Sequence, residues 1–248
     1  MTGPVGVIAL PGMPEVRPGD DLAGLLADAA ARLDGGLEPG DVLAVAHKVV
    51  SKAEGRVVRL ADVIPGPRAM DLAAEHGKDA RHVQVVLDES EDILRADRGR
   101  LICRTRHGFV CANAGVDASN AGDEDTLVLL PSDPDGSART LRGRLGCAVV
   151  VTDSFGRAWR HGQCEVAIGA AGLAPLDDRR GLLDAGGRTL AATVIAIADE
   201  VAAAADIVRG KATREPAVRL RGLARHVTTD AGPGAAALVR SLDEDLFR

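Results

Sequence analysis

Tyrosine is absent from the chain, and aromatic residues make up only 2% of it. The core must therefore be built from Val, Leu, Ile and Ala, small knobs that gain little from ring burial. Also missing is any apolar run near the roughly 18 residues that span a membrane. Residues 1–13 lack the basic head and long apolar middle of a leader peptide, so a cytoplasmic protein with no membrane partner is expected. Lys and Arg number 30 against 36 Asp and Glu, a net charge of -6, and no basic cluster is large enough to cover a nucleic-acid groove. That balance excludes a nucleic-acid partner. The four cysteines, Cys103, Cys111, Cys147 and Cys164, form no C-x-x-C pair, and no His stands at zinc-ligand spacing. They read as reduced, partly buried small hydrophobes, with a catalytic thiol a distant second. Nor is there a G-x-x-x-x-G-K-[ST], a G-x-G-x-x-G or a G-x-S-x-G, so motifs support no P-loop, dinucleotide fold or serine hydrolase.

What is present centres on residues 149–173. The run Ala148, Val149, Val150, Val151 is continuous rather than alternating, which predicts a strand covered on both faces. Asp153 follows it and is placed at the strand end, where open sheets keep their chemistry. Taken alone, Asp-Ser-Phe-Gly is simply a turn or a helix cap. Arg157 and Arg160, three residues apart beside the only Trp, favour another reading: an acid with two planar donor forks suits anions and a divalent metal.

Along the chain, a short strand over 5–10 runs into a Pro- and Gly-shaped loop, and Asp20 or Asp21 caps a helix over 22–33. A buried strand over 42–46 exits into His47, Lys48 and Lys52, with Glu54-Gly55-Arg56 beyond. Two lysines four apart read as a solvated face, but Lys52 followed by Glu54-Gly55-Arg56 reads equally as a phosphate contact. One helix is predicted over 69–94, with Glu89, Glu91 and Asp92 on its wet side. A hairpin over 100–106 and 109–112 turns at His107-Gly108 and empties into the polar stretch 113–120, itself open to an Asx-turn reading. A strand over 127–130, a loop over 131–137 and a helix over 138–145 lead back to the central strand. Beyond it, 167–173 is small and Gly-rich, 177–187 reads as an exposed loop, 190–208 as a helix or strand-helix unit, and 217–223 as a last strand. It carries Arg219 and Arg221 on one side, and the tail is expected to be marginally ordered. Composition and spacing alone define an α+β enzyme with an acid-and-arginine site.

Four stretches carry the reading further: Gly12-Met13-Pro14-Glu15-Val16 with Gly19-Asp20-Asp21-Leu22, then Lys48-Val49-Val50-Ser51-Lys52-Ala53-Glu54-Gly55-Arg56, Asn113-Ala114-Gly115-Val116-Asp117-Ala118-Ser119-Asn120, and Thr152-Asp153-Ser154-Phe155-Gly156-Arg157. In order and spacing they resemble the coenzyme F-420-0:L-glutamate ligase family, and residues 130–138, Ala198-Asp199-Glu200 and Arg209-Gly210-Lys211 extend the likeness over most of the chain. The resemblance implies a single ligase unit over 1–248, of one domain or two subdomains, with mixed sheets and packed helices in the family's own α+β fold, in an intertwined homodimer. It also implies a stand-alone ligase domain, without the nitroreductase-like domain to which many actinobacterial relatives are fused. The implied reaction is GTP-dependent: the terminal carboxylate of a deazaflavin precursor is activated as an acyl phosphate and joined to L-glutamate. Mg2+ or Mn2+ assists, with K+ as a further candidate.

Carried over by position, the resemblance makes Asp117 and Asp153 metal carboxylates and Ser154 the adjoining hydroxyl ligand. Nucleotide contacts fall on Met13, Pro14, Glu15 and Val16, on His47, Lys52 and Asn120, and on Arg209, Gly210, Lys211, Ala212, Thr213, Arg214 and Glu215. Asp153 is also assigned to catalysis, with Arg157 and Arg160 on phosphate or substrate carboxylate. Two positions depart from the family pattern. Ala46-His47 stand where relatives often carry a Ser or Thr pair, and Lys211 where an archaeal relative would place a second-metal glutamate. Other classes stay open: a paralogue using the same activation on another carboxylate or amino acid, a metal-dependent phosphatase or hydrolase, and a non-catalytic dimeric scaffold.

Overall fold

A computed structural model describes residues 3–118, 125–210 and 214–245. In chain order the strands and helices are β1 (Gly6–Ala9), α1 (Leu22–Ala30), β2 (Val42–Ala46), α2 (His47–Ala53), β3 (Val57–Arg59), α3 (Pro67–His76), α4 (Ala80–Asp88), β4 (Ser90–Asp97), β5 (Arg100–Thr105), β6 (Val110–Ala112), β7 (Thr126–Val128), α5 (Pro134–Leu145), β8 (Ala148–Gly156), β9 (Gln163–Ala171), β10 (Asp177–Asp178), β11 (Val194–Ile195), α6 (Ile197–Val208) and β12 (Ala217–Arg221). The mixture is α+β, as composition and spacing predict. No helix among the described residues is long and apolar enough to cross a membrane.

The main sheet runs β1-β12-β2-β8-β9, with β2 and β8 parallel and the other pairs antiparallel. Its two continuous apolar runs are buried on both faces because alternate residues point to opposite cores. Leu43, Val45, Val149 and Val151 pack with Leu22, Leu26 and Ala29 of α1 and Ala138 and Leu141 of α5. Val42, Ala44, Ala148 and Val150 pack with Ala198, Val201 and Ala205 of α6. A third core joins α3 and α4 to the β4-β5-β6 sheet through Ala69, Ala73, Val83, Val86, Leu101 and Cys103.

Several predicted elements are redrawn. The helix expected over 22–33 stops at Ala30, where tighter bonds from Arg32 and Leu33 to Ala29 and Ala30 lead into Gly35 and Gly36 at positive φ. In place of one helix over 69–94 there are two helices and a strand. Gly77, at φ 64°, closes α3, and Asp79 starts α4 by accepting from the Arg81 amide at 2.8 Å. After Asp88 the chain becomes β4, because β5 offers it a ladder and because Glu89 is drawn inward. Its buried carboxylate accepts from Arg56 at 2.7 Å and Arg106 at 3.3 Å. Glu89 is thus a buried link rather than a wet helical acid, and Glu91 and Asp92 are strand residues.

Helix α5 begins four residues before the predicted start at Ala138, with Pro134 in its first turn and Asp133 accepting from the Gly136 amide at 2.8 Å. Strand β8 runs on to Gly156 because β9 pairs with it along its whole length, so Asp153 lies inside a two-stranded ribbon and not at a strand end. The small residues of 167–173 belong mostly to that partner strand. At Gly169 a Cβ would lie 2.3 Å from the Pro134 carbonyl oxygen, so only glycine lets α5 approach this closely. The tail expected to be marginally ordered is stitched down: the Ala235 amide donates to Asp135 at 2.7 Å, the Gly172 amide to the Ala231 carbonyl at 2.8 Å, and Ala235 is fully buried.

Candidate functional site

Because β2 and β8 are parallel and in register from Val42 with Ala148 to Ala46 with Thr152, they deliver their next residues to the same edge of the sheet. There the chain of β2 turns at once into α2, which presents His47, Lys48 and Lys52, while β8 continues as the ribbon carrying Asp153 and Ser154. A cleft of about 1280 Å³ opens at this edge. Its walls come from five places: the loop containing Pro14, Glu15, Val16 and Arg17; α2; Val57, Arg59, Asp117 and Thr126 near the β3–β7 pair; Thr152, Asp153, Ser154, Gln163 and Glu165 of the β8–β9 ribbon; and Asp206, Arg209, Gly210, Arg214 and Glu215. Acids and cations interleave across it.

The deepest layer is a polar network between the ribbon and the end of α6. Arg209 donates Nη1 to Thr152 Oγ1 at 2.9 Å and to Glu165 Oε2 at 3.1 Å, and the Ser154 hydroxyl donates to Glu165 Oε1 at 2.5 Å. Glu165 and Arg209 are both almost fully covered. Burial pushes the Arg209 guanidinium below its ordinary value, with the Glu165 carboxylate opposing the shift. Beside this network, buried His47 points Nδ1 at Ser51 Oγ, 3.3 Å away. Its Nε2 lies 3.3 Å from Asp153 Oδ1, within ion-pair reach but off-line for a hydrogen bond. Nearer the mouth, Lys48 Nζ meets Asp117 Oδ2 and Lys52 Nζ meets Glu15 Oε1, each at 2.5 Å.

Of the residues predicted for the site, Pro14, Glu15, Val16, His47, Lys52, Asp117, Asp153, Ser154, Arg209, Gly210, Arg214 and Glu215 line this one cleft. Met13 does not: it is buried in the core under α1. Arg157 and Arg160 sit exposed in the β8–β9 turn, outside the cleft lining, with Arg157 donating to the His161 carbonyl at 2.7 Å. Asn120, Lys211, Ala212 and Thr213 lie outside the described residues. Sequence reasoning missed Glu165, Thr152, Gln163, Lys48 and Asp206, which also line the cleft. Glu165 was detectable in principle, as a charge two residues after Gln163 in a stretch otherwise apolar and small. Burial pushes the Cys111 and Cys147 thiols up to about 12 and also raises Cys103, and all four cysteines are free.

Among the described residues, no three His, Cys, Asp or Glu side chains converge to form a ready metal cage. Asp117, Asp153 and Ser154 instead offer hard oxygen donors from two walls of one cleft. That set fits Mg2+ or Mn2+, ions that take one or two protein carboxylates and complete their shell with water and phosphate oxygens.

The fold and the cleft together define an α+β protein with a cleft of interleaved acids and cations beside its main sheet. A family model described as F420-0:Gamma-glutamyl ligase matches residues 12–222. The chain is 48% identical over 242 residues to the coenzyme F420:L-glutamate ligase of Methanopyrus kandleri, covering 94% of each chain. It is 43% identical over 252 residues to the protein of that name from Methanothermobacter thermautotrophicus, covering 98% of this chain and 99% of the relative. The corresponding Archaeoglobus fulgidus protein is 42% identical over 252 residues, covering 98% and 96%. The chain belongs to the F420-0:gamma-glutamyl ligase family and is a ligase.

Proposed function

We propose that this ligase joins L-glutamate to the terminal carboxylate of coenzyme F420-0 at the expense of GTP, acting in the cytoplasm as a homodimer. The observation that carries the reading is that residues from four distant parts of the chain, Glu15, Lys52, Asp117 and Asp153, line one cleft in a protein related over almost its full length to coenzyme F420:L-glutamate ligases. A carboxylate does not condense with an amine in neutral water, so the reaction needs an activated acyl group. A carboxylate oxygen of the precursor attacks the γ-phosphorus of GTP, the bond to the β-phosphate oxygen breaks, and GDP leaves. The amino nitrogen of glutamate then attacks the acyl carbon, inorganic phosphate departs, and the amine proton is lost as the amide forms.

In that scheme Asp117, Asp153 and Ser154 would hold the divalent ion, whose contribution is to neutralise phosphate charge. Lys52 and Arg214 supply cations to the nucleotide phosphates and to the carboxylates of the acceptor and glutamate. Thr152, Glu165 and Arg209 fix the ribbon, so that Asp153 and Ser154 meet the substrates with little reorganisation. His47 places an imidazole nitrogen 3.3 Å from the Asp153 carboxylate.

The test is mass spectrometry and nucleotide analysis of coenzyme F420-0 incubated with GTP, Mg2+, glutamate and the enzyme. A glutamyl adduct formed with GDP and phosphate is the expected result, lost in Asp153→Asn while the circular dichroism spectrum is kept. Release of GMP and pyrophosphate, or unchanged ligation in Asp153→Asn, would overturn the mechanism or the site. Light scattering of the purified chain tests the homodimer.

A further inference from the structure

The two carboxylates offered to a divalent ion face different neighbours. Asp153 lies 3.3 Å from an imidazole nitrogen of His47, whereas Asp117 Oδ2 lies 2.5 Å from the ammonium of Lys48. The two partners of the second pair approach from separate walls. Lys48 is in the first turn of α2, and Asp117 is held by a two-bond bridge to Val128, its amide donating at 3.0 Å and its carbonyl accepting at 2.8 Å. Lys48 is the more covered of the two, its side chain 22% exposed against 41% for Asp117. An ammonium has three donors and no lone pair, so it can hold Asp117 only as a counter-ion and cannot itself ligate a metal. A divalent ion on that carboxylate would also repel it. Lys52 does not duplicate the arrangement, because its ammonium is engaged by Glu15.

We infer that Lys48 is an internal counter-cation that competes with the divalent metal for Asp117. It neutralises the carboxylate while the metal is away, and an entering ion must bind against its charge. The inference rests on the proposed role of Asp117 as a metal carboxylate. Its consequence runs against the usual effect of deleting a site residue: removing the lysine charge should tighten metal binding. A pair that merely braced the wall carrying Asp117 would do the reverse, since its loss would loosen the carboxylate and weaken the metal.

The experiment is Mn2+ binding to the full chain without nucleotide, read from the electron paramagnetic resonance signal of free Mn2+. Parent, Lys48→Met, Lys48→Arg and Asp117→Asn are compared, with Lys48→Gln carrying the test should the Met variant fail to fold by circular dichroism. Lys48→Met should bind Mn2+ about fivefold more tightly, the factor that corresponds to one partly exposed ion pair. Lys48→Arg should stay near the parent and Asp117→Asn should bind more weakly. If Asp117→Asn weakens binding but Lys48→Met equals the parent or is weaker, the competition is overturned and the metal assignment stands. If Asp117→Asn binds Mn2+ as the parent does, the metal assignment falls and the competition falls with it.

Discussion

Replacing Arg209 by Met would leave the side-chain stem in place at the floor of the cleft and remove only the guanidinium. Glu165, 7% exposed, would then keep the Ser154 hydroxyl as partner for Oε1 but lose the cation 3.1 Å from Oε2. Breaking one side of a buried ion pair costs about 3–5 kcal/mol, because the remaining charge is left uncompensated. In a chain of this length each kcal/mol moves the melting temperature by about 2–4 °C, so Arg209→Met should melt about 6–20 °C below the parent. Glu165→Gln should also destabilise, since it leaves a guanidinium already disfavoured by burial facing an uncharged amide. In the double variant neither charge remains. Its loss should be smaller than the sum of the two single losses by about 1–3 kcal/mol, the coupling of residues in one network. Far-ultraviolet circular dichroism during urea and thermal unfolding is the suitable assay, because the only tryptophan, Trp159, is 83% exposed and reports little about the core. Strict additivity of the two substitutions would refute the claim that the floor of the cleft is one electrostatic unit.

Gly169→Ala should destabilise by about 1–3 kcal/mol, because its Cβ would meet the backbone of Pro134 at 2.3 Å and force α5 away from β9. Gly143→Ala, in the same helix with open space around it, should stabilise by about 0.5–1 kcal/mol. Equal melting temperatures for these two variants would contradict the α5–β9 packing. A third expectation concerns acid. Burial pushes the Asp41 carboxyl up, but the Arg221 guanidinium, at 2.7 and 2.8 Å, and the Glu38 amide more than offset it, and the group ends below its ordinary value. Its folded state therefore releases the proton more readily than its unfolded state does. The stabilisation is present at neutral pH and lost as pH falls below the usual carboxylate range, about pH 4. The urea midpoint of the parent should fall more steeply as pH drops below about 4 than that of Arg221→Gln, and parallel curves would exclude the linkage.

Much of the chain was legible in its sequence wherever the signal was local. The runs Val42–Ala46 and Ala148–Val151 read as doubly covered strands because an unbroken stretch of small apolar residues has no face to give to water. They are buried against α1 and α5 on one side and α6 on the other. The candidate site was legible in part through motif order, which placed Glu15, His47, Lys52, Asp117, Asp153 and Ser154 among its residues, and all six line the one cleft.

Tertiary structure alone decided the rest, because in each case the partner comes from far along the chain. Residues 90–97 have helical company on one side only until β5 supplies a ladder, and Glu89 looks like a wet acid until Arg56 and Arg106 reach it. Asp153 sits inside a ribbon because β9, whose second half is too rich in small residues to announce itself as a strand, pairs with β8 from Val149 to Gly156. Arg157 and Arg160, which look like site arginines beside Asp153, are turned to solvent by that same ribbon. Glu165, invisible as a motif, becomes the acid that ties Ser154 to Arg209. Local pattern determines which residues must be buried; the pairing of strands and the meeting of distant charges determine where the polar ones point.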